Sequence, residues 1–498
     1  MLTYFRRLLT AGFAYQLGEA LAKVVALALL PVYTHFLSPS NYGTADVLTT
    51  AIVLLSIVIR FGIDEAFVRF HFLDSDTARR VRIARMATGF TALLTTITLL
   101  LGIVFASDVS QLLLGFRDAT LLSFAALGLW AFTNLEVAYA LLRVEERRRE
   151  YLVASLINVG LTIAFTVPLV VAARMGARGL LLGNYSASAI VLVGLWWRLR
   201  EQVGFTPGRL HRPELGPMLR YGLPTVPADV SVYALNVVDR FYIYRHVSPA
   251  DAGRYSLAVK LATAVTLVVR GFQYAWPPLA YSIESDEEAS RLYARVTTWY
   301  VAVTGYVVVG LALLGRWVLR AFAAPSFFGA HQALPWVAMG WALYGLFLVF
   351  VVIAGRARVT TRNLPAAAVG LVVNVVAILL LVGPLGIAGA GVALSLAYVA
   401  ILIVMRILTR NLFHVAFEWG RLGLLVAVFG AAWGAGDSLL PDTGLAGFAA
   451  RAGALVAIPA VLWAARFLDP GEREGLTRLV AAARLRIAGG PRSGPSDL

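Results

Sequence analysis

The chain has no cysteine, and its 498 residues include only two lysines, Lys23 and Lys260. The missing cysteine excludes disulfides, thiolate metal sites and cysteine nucleophiles. The histidines are scattered without the spacing of a metal site, and no GxxxxGK[ST] phosphate loop, GxSxG elbow or HExxH pair occurs. The sequence therefore gives no support for an enzyme, a built-in ATPase, a cofactor or a resident metal.

Charge is scarce as well. Charged residues make up 14% of the chain and hydrophobic residues 59%, whereas roughly a quarter of a soluble globular protein is charged. The net charge of +15 comes from arginines in short segments between apolar runs, which favours positive cytoplasmic loops over nucleic-acid binding. The composition predicts a polytopic membrane protein.

Apolar runs of membrane-spanning length recur fourteen times. Backbone groups in lipid need partners within the protein, and these runs lack the alternation of a barrel strand, so each is predicted to be a helix. The predicted fold class is all-α, with about 14 transmembrane helices. The predicted spans are 11–33, 44–66, 83–105, 119–142, 152–172, 179–199, 221–244, 252–275, 292–314, 330–354, 364–382, 386–405, 421–436 and 447–467.

Basic residues orient the chain in the membrane. With the N-terminus in the cytoplasm, the cytoplasmic segments hold 30 of the 43 Lys and Arg residues and the external loops hold 8. Because basic residues concentrate in cytoplasmic loops, both termini are predicted to be cytoplasmic.

An internal repeat divides the chain. Ser38, Pro39 and Gly43 recur 210 residues later as Ser248, Pro249 and Gly253, and at the same offset Arg60 matches Arg270. Each copy holds six predicted helices, so the halves enter the membrane in the same direction and are related by an axis along the membrane normal. The predicted domains are a six-helix lobe at 1–205, a second lobe at 206–410, helices 13 and 14 at 411–468, and a cytoplasmic tail at 469–498.

Ionisable residues inside spans mark functional sites by default. Glu19 and Lys23 lie four residues apart on the first helix and share a face, either towards a cavity or as a structural pair. Asp239 and Arg240 lie near the outer end of helix 7, where an interfacial pair is the alternative. Lys260 lies deep in helix 8, which has no acidic residue within the predicted span.

Three further residues lie near the predicted cytoplasmic ends of helices. Arg60 and Arg270 occupy equivalent positions in helices 2 and 8, where they either capture an anion or extend independently to lipid headgroups. Glu136, in helix 4, extends in the same way or pairs with them. The predicted substrate-binding residues are Lys23, Lys260, Arg60, Arg270 and Arg240, and the predicted ion-coupling residues are Glu19, Asp239 and Glu136.

The order of several patterns resembles the polysaccharide-transporter family of oligosaccharide flippases, within the multidrug/oligosaccharidyl-lipid/polysaccharide exporter superfamily. They are Ser38-Pro-x-x-Tyr-Gly43 followed by Arg69, Arg220-Tyr-Gly-Leu-Pro224, Asp239-Arg240, Ala252-Gly-Arg-Tyr255 and Gly386-x-x-Gly389. The resemblance implies two six-helix bundles around a central cavity in the bacterial inner membrane. The implied substrate is a polyprenyl-pyrophosphate-linked oligosaccharide, and the implied partners are membrane lipids and the polymerase or glycosyltransferases of the same pathway.

Without an ATP site, the work must come from an ion gradient or the membrane potential, so H⁺ or Na⁺ is the expected coupling ion. Three alternatives stay open. A drug/cation antiporter of the same superfamily needs an acidic cavity, a lipid II flippase has similar cavity charge, and a membrane glycosyltransferase needs a sizeable acidic external loop.

Overall fold

The computed structural model describes residues 24–73, 76–203 and 212–472, and within these ranges the protein is built from α-helices joined by short turns. The helices of the first half are α1 Leu30–Phe36, α2 Pro39–Ile59, α3 Ile63–His71, α4 Thr77–Val104, α5 Ala106–Leu114, α6 Ala119–Val144, α7 Arg148–Val171 and α8 Gly176–Arg198. Those of the second half are α9 Arg212–Gly222, α10 Val226–Leu235, α11 Val238–His246, α12 Pro249–Ser282, α13 Asp286–Phe322, α14 Leu334–Arg356, α15 Asn363–Leu385 and α16 Ile387–Thr409. Two more helices follow, α17 Trp419–Leu439 and α18 Gly444–Ala464.

In the described part of the chain, 12 helices are long and apolar enough to cross a membrane. The protein is therefore an all-helical, multi-pass membrane protein, as its sequence predicts. Two of the predicted spans are not among the twelve. The first lies mostly outside the described residues and is represented by the shorter apolar helix Val24–Phe36. The seventh is broken into shorter pieces.

The seventh predicted span, 221–244, is not one continuous helix. A 3₁₀ turn at Leu223–Thr225 leads into α10, and the chain breaks again between α10 and α11. Proline has no backbone N–H and fixes its own φ, so Pro224 and Pro227 account for the irregular start. The second break, at Asn236 and Val237, has no proline and depends on partners from other helices.

Helix α2 also differs from its prediction, because it ends at Ile59 instead of residue 66. Phe61 and Gly62 adopt left-handed backbone conformations, with φ of 50° and 69°, which end the helix. A Cβ on Gly62 would lie 2.1 Å from the carbonyl oxygen of Gly222. This contact between backbones of the two halves leaves no room for a side chain.

The chain divides into two compact units. Unit 1, comprising residues 1–281 and 315–413, includes all the helices of both halves except most of α13. One of its cores is formed by apolar side chains of α3, α4, α6, α7 and α8, with Met218 of α9 fully buried against them. The lobe boundaries at 205/206, 410/411 and 468/469 stay a prediction.

Unit 2, comprising residues 282–314 and 414–498, contains the first part of α13 together with α17 and α18. Leu313, Leu425, Phe429 and Ile458 form its core. Near one end of α17, Arg421 forms ion pairs with Glu418 and Glu472, at 3.0 Å and 2.8 Å.

Candidate functional site

Both copies of the Ser-Pro-x-x-x-Gly pattern begin a long helix. Ser38 accepts a hydrogen bond from the backbone N–H of Asn41 at the start of α2, and Ser248 accepts one from the N–H of Asp251 at the start of α12. Serine at this position satisfies a free N–H of the first turn, and proline fits the first helical position. The pattern thus specifies two equivalent helix starts.

The glycines of the two patterns meet where α2 and α12 cross. A Cβ on Gly43 would lie 2.2 Å from the carbonyl oxygen of Pro249, and one on Gly253 would lie 2.0 Å from that of Pro39. The backbones are therefore in direct contact, which only glycine permits. We call this contact of Gly43 with Gly253 the glycine crossing. The basic-residue pattern predicts that it lies at the outer end of the membrane.

One turn further along, a buried carboxylate joins the two halves. Asp46 of α2, 9% exposed, accepts hydrogen bonds from Ser256 Oγ at 2.7 Å and Arg240 Nη1 at 3.1 Å. Lys260 Nζ lies 3.8 Å from its other oxygen, and Arg240 Nη1 also donates to Thr50 Oγ1 at 3.2 Å. Removing one partner of a buried ion pair costs about 3–5 kcal/mol. These residues, the Asp46 cluster, therefore hold α2 against α11 and α12.

The duplicated positions explain this arrangement. Asp46 and Ser256 are separated by 210 residues, the offset of the repeat, and each lies three residues after its crossing glycine. Two equivalent helices that cross at equivalent glycines bring their next turns face to face. One half supplies the carboxylate at this point, and the other supplies the hydroxyl.

Asp239 and Arg240, adjacent in sequence, have different partners. Asp239 is 1% exposed and accepts a hydrogen bond from Tyr255 OH, within the second half. Its other oxygen accepts the backbone N–H of Arg240 at 2.8 Å. Arg240 instead reaches across to Asp46. The two residues predicted as an interfacial pair therefore have separate roles. Asp239 makes a buried bond inside the second half, and Arg240 bonds to the first half.

Lys260 has partners from the opposite half. Besides its contact with Asp46, its ammonium lies 4.6 Å from the centre of the Tyr42 ring, a cation–π distance. The side chain is 41% exposed and borders a cavity of about 340 Å³, lined by α2, α7 and α8 and by the apolar helix Val24–Phe36. The deep lysine is therefore paired by α2 and open to a space in the first half.

The main cavity, of about 680 Å³, lies between the two halves. Its walls come from α2 and α3 of the first half and from α10, α11, α12 and α14 of the second. Arg60, Arg240 and Arg270 all line it. Arginines from both halves therefore line one space.

Three carboxylates, Asp64, Glu65 and Asp229, line the same cavity. Asp64 Oδ2 lies 2.5 Å from Arg60 Nη1. Glu65, on α3 beyond the end of the spanning helix α2, has its pKa raised by burial and further by the charges of Asp64 and Asp229, against a lowering by Arg60. The cavity is thus not purely basic. Among the described residues, three cationic and three acidic side chains line it.

The structure brings together four of the predicted residues. Arg60, Arg240 and Arg270 share the main cavity, and Lys260 contacts Asp46 beside it. Glu136 is partly buried in α6 and is not among the residues that line the two cavities described above. Glu19 and Lys23 lie outside the described residues. The functional roles assigned to all of these residues stay predictions.

Sequence reasoning missed Asp46, the acceptor at the centre of the cluster. Two signals were present: it is a carboxylate inside a predicted span, and it lies three residues after a repeated glycine. Asp64 and Glu65 were also missed. They carry the first of these signals, since they are carboxylates inside the predicted span 44–66.

The sequence matches the family described as "Polysaccharide biosynthesis protein" over residues 32–329. No curated protein matches the chain in sequence.

Solved structures share the fold. One, described as "Lipid II flippase MurJ, inward closed conformation", superposes with a TM-score of 0.69 at 12% identity, covering 90% of this chain and 98% of that one. An inward-facing multidrug resistance MATE family transporter of the MOP superfamily gives 0.61 at 15% identity, over 78% and 95%. A point mutant of the Vibrio cholerae MATE transporter VcmN gives 0.56 at 11% identity, over 82% and 98%. At such low identities the likeness is one of fold.

Proposed function

Because the chain belongs to the polysaccharide biosynthesis protein family and has the fold of MOP-superfamily transporters, we propose that it is a flippase. Its substrate is a polyprenyl-(pyro)phosphate-linked oligosaccharide, which it moves from the inner to the outer leaflet for surface polysaccharide assembly. The two halves alternate access to a central cavity without hydrolysing ATP.

The observation that carries this proposal is the convergence of three arginines from both halves on one cavity. Arg60 comes from the first half, and Arg240 and Arg270 come from the second. Guanidinium groups bind phosphate oxygens through paired hydrogen bonds. The cavity volume of about 680 Å³ lies within the range of roughly 300–1,000 Å³ typical of small-molecule sites. This suits a pyrophosphate with the first sugars attached to it.

The energy source is an ion gradient or the membrane potential, worth about 2.3 kcal/mol per charge per 100 mV. H⁺ or Na⁺ is the proposed coupling ion, with Glu19, Asp239 and Glu136 as its proposed sites. Of the two that the structure describes, Asp239 is better placed to couple ion binding to movement, because it is buried next to Arg240, which bonds to the opposite half.

We place the protein in the bacterial cytoplasmic membrane with both termini in the cytoplasm. Its partners there are the lipid-linked oligosaccharide, the surrounding lipids, and the polymerase or glycosyltransferases of the same pathway. Delivery of the substrate by enzymes on the inner leaflet agrees with arginines near the predicted cytoplasmic ends of α2 and α12.

Deletion of the gene tests the proposal. Lipid-linked oligosaccharide should accumulate on the inner leaflet and surface polysaccharide should fall, and the intact chain should restore both. A chain in which Arg60 and Arg270 are both alanine should restore neither at equal expression, whereas Arg178→Ala, at an ion pair with Asp118 within the first half, should restore both.

Two other outcomes would contradict the proposal. Normal surface polysaccharide with drug hypersensitivity would favour a cation-coupled drug antiporter, for which Asp64, Glu65 and Asp229 at the cavity are the supporting observation. Accumulation of lipid II with loss of peptidoglycan synthesis would favour a lipid II flippase, the activity of one protein with this fold.

A further inference from the structure

Arg240 takes part both in the Asp46 cluster and in the wall of the main cavity. Its Nη1 atom donates to Asp46 and Thr50 of the first half, yet the same side chain lines the main cavity. Its Nε is buried and has no hydrogen-bond partner among the described residues. A guanidinium has five N–H donors in a fixed fork. At least one donor of Arg240 is therefore not used by the Asp46 cluster.

The bonds to Asp46 hold the predicted outer end closed. The carboxylate lies on α2, and its partners Ser256 and Arg240 lie on α12 and α11. Tyr244 OH, also on α11, lies 3.0 Å from Thr44 Oγ1 at the same level. Separation of α2 from these two helices must break every one of these contacts. The closed end is thus held by polar bonds as well as by the glycine crossing.

We propose that Arg240 makes opening of the outer end depend on an anionic cargo. A phosphate group in the main cavity takes the guanidinium from Asp46, and the two halves can then part. A neutral or cationic molecule of the same size leaves the bond in place. This inference rests on the proposed function, since it assigns to one residue the selectivity for a lipid-linked phosphate.

Two features make the exchange feasible. A phosphate replaces a carboxylate on the same guanidinium, so the cation stays paired throughout. Lys260 of α12, with its Nζ 3.8 Å from Asp46, keeps the carboxylate paired while Arg240 leaves, and water at the opened outer end solvates the carboxylate once α12 has parted from α2. Neither charge is then left buried without a partner, which would cost about 3–5 kcal/mol. A ligand shifts the equilibrium between the closed and the open outer end only if it binds the two forms with different affinities. Here the open form binds a phosphate more tightly, because Arg240 is free of Asp46 in that form.

The test uses a single reporter cysteine in the cysteine-free chain. Thr44 is 5% exposed and faces the opposite half, so Thr44→Cys reacts with a maleimide only when the outer end opens. Thr91→Cys is the control reporter, because Thr91 is fully buried within α4 of the first half and reacts only on unfolding. The full-length protein in lipid nanodiscs is labelled with a maleimide in the presence of farnesyl pyrophosphate, in the presence of farnesol, or with no ligand added.

Farnesyl pyrophosphate should accelerate labelling of the Thr44→Cys parent about tenfold or more, and farnesol should leave its rate unchanged. Asp46→Asn should raise the rate by a similar factor without ligand, and farnesyl pyrophosphate should add little to it. Asp118→Asn, which makes the same change of charge at an ion pair within the first half, should behave as the parent does. Labelling of Thr91→Cys should stay slow in every case.

The inference is overturned if the parent ignores farnesyl pyrophosphate or responds equally to farnesol, a comparison that needs no variant of the cluster. It is also overturned if Asp46→Asn labels as slowly as the parent. These outcomes differ from failure of the proposed function. A parent that transports glycan in cells but ignores the pyrophosphate contradicts only the role of Arg240. A parent that responds to it, while deletion leaves surface glycan and its lipid-linked precursor unchanged, contradicts the flippase.

Discussion

Arg60 and Arg270 occupy the same place in their respective halves but have different neighbours. Arg60 forms an ion pair with Asp64, whereas Arg270 is exposed to the cavity. An anion that binds Arg60 must therefore compete with a carboxylate. Loss of Arg60 also leaves the charge of Asp64 unbalanced at the cavity wall. The two arginines are equivalent by sequence but not in electrostatic environment.

Substitution of these arginines should weaken substrate binding unequally. A hydrogen bond to a charged group contributes about 1.5–3 kcal/mol, so Arg270→Ala should weaken binding of a polyprenyl pyrophosphate roughly 10- to 100-fold. Arg60→Ala should weaken it further, because Asp64 then repels the phosphate, and Asp64→Asn should recover part of that loss. Binding isotherms on purified protein measure this.

Lysine substitution separates capture from simple contact with lipid. If Arg60 and Arg270 capture a phosphate, lysine rescues poorly because it lacks the planar fork. Full binding with lysine at both positions would mean that they only contact lipid headgroups. Arg178→Ala serves as the control for loss of an arginine outside the cavity.

At this scale the sequence predicts the cations better than their partners. The repeat alone pairs Arg60 with Arg270, and apolar surroundings identify Lys260. Their partners could not be predicted in the same way. The contact of Lys260 with Asp46 depends on how closely α2 and α12 cross, and sequence spacing contains no information on that distance.

At the scale of elements, the break between α10 and α11 is held open by other helices. The carbonyl of Leu235, freed by the break, accepts a hydrogen bond from Asn374 Nδ2 of α15 at 2.7 Å. Asn236 Oδ1 accepts one from Tyr398 OH of α16 at 2.9 Å. Irregular backbone at membrane depth is tolerated only where the protein satisfies it. The break is therefore a property of three segments together.

Removal of the partner on α15 should destabilise the protein. Asn374 is fully buried, so Asn374→Ala leaves the Leu235 carbonyl without its donor, at a cost of about 1–3 kcal/mol. Tyr398→Phe should cost less, about 0.5–1.5 kcal/mol, because it removes one neutral bond. The midpoint of thermal unfolding in detergent measures both.

Thr91→Val is a suitable control for these two changes. The buried hydroxyl of Thr91 has no hydrogen-bond partner among the described residues, so its loss should not lower the unfolding midpoint. An Asn374→Ala protein as stable as the parent would mean that the break needs no partner.

Hydropathy predicts the presence of this segment but not its continuity. An apolar run identifies residues 221–244, and Pro224 and Pro227 indicate the irregular start. Nothing local marks the break at Asn236, because it is stabilised by side chains more than a hundred residues away. The early end of α2 has a local signal, Gly62, but glycines also occur within the spanning helices.

At the scale of the molecule, two pairs of glycines hold the halves in contact. Gly43 meets Gly253 at one end of α2, and Gly62 meets Gly222 beyond the other. Alternating access requires one contact to open while the other stays closed. Both are closed in this structure, with the main cavity lying between the halves.

A methyl group at the glycine crossing should favour the open form. Gly43→Ala places a Cβ 2.2 Å from the Pro249 carbonyl oxygen, so the backbones must separate. The labelling rate of Thr44→Cys should rise, and Gly253→Ala should have the same effect. Gly160→Ala, in a helix with nothing within 4 Å of the new Cβ, should leave the rate unchanged. Unchanged labelling in Gly43→Ala would show that the crossing does not hold this end closed.

The topology itself is open to direct measurement. With both termini in the cytoplasm, cysteines at Gln111 and Leu440 should react with an impermeant maleimide in intact cells, and one at Arg149 should not. The prediction depends on the uneven distribution of the 43 basic residues. The reverse labelling pattern would invert the orientation.

The broken segment formed by α10 and α11 also affects how this protein is inserted into the membrane during translation. The insertion machinery retains a nascent helix that is long and apolar enough, about 20 residues, but α10 and α11 contain only 10 and 9. The side chains that complete the segment, Asn374 and Tyr398, are translated 139 and 162 residues after their partners. The segment therefore lacks these hydrogen-bond partners while most of the second half is synthesised. A nascent chain that stalls before Asn374 therefore lacks the side chains that complete the broken segment.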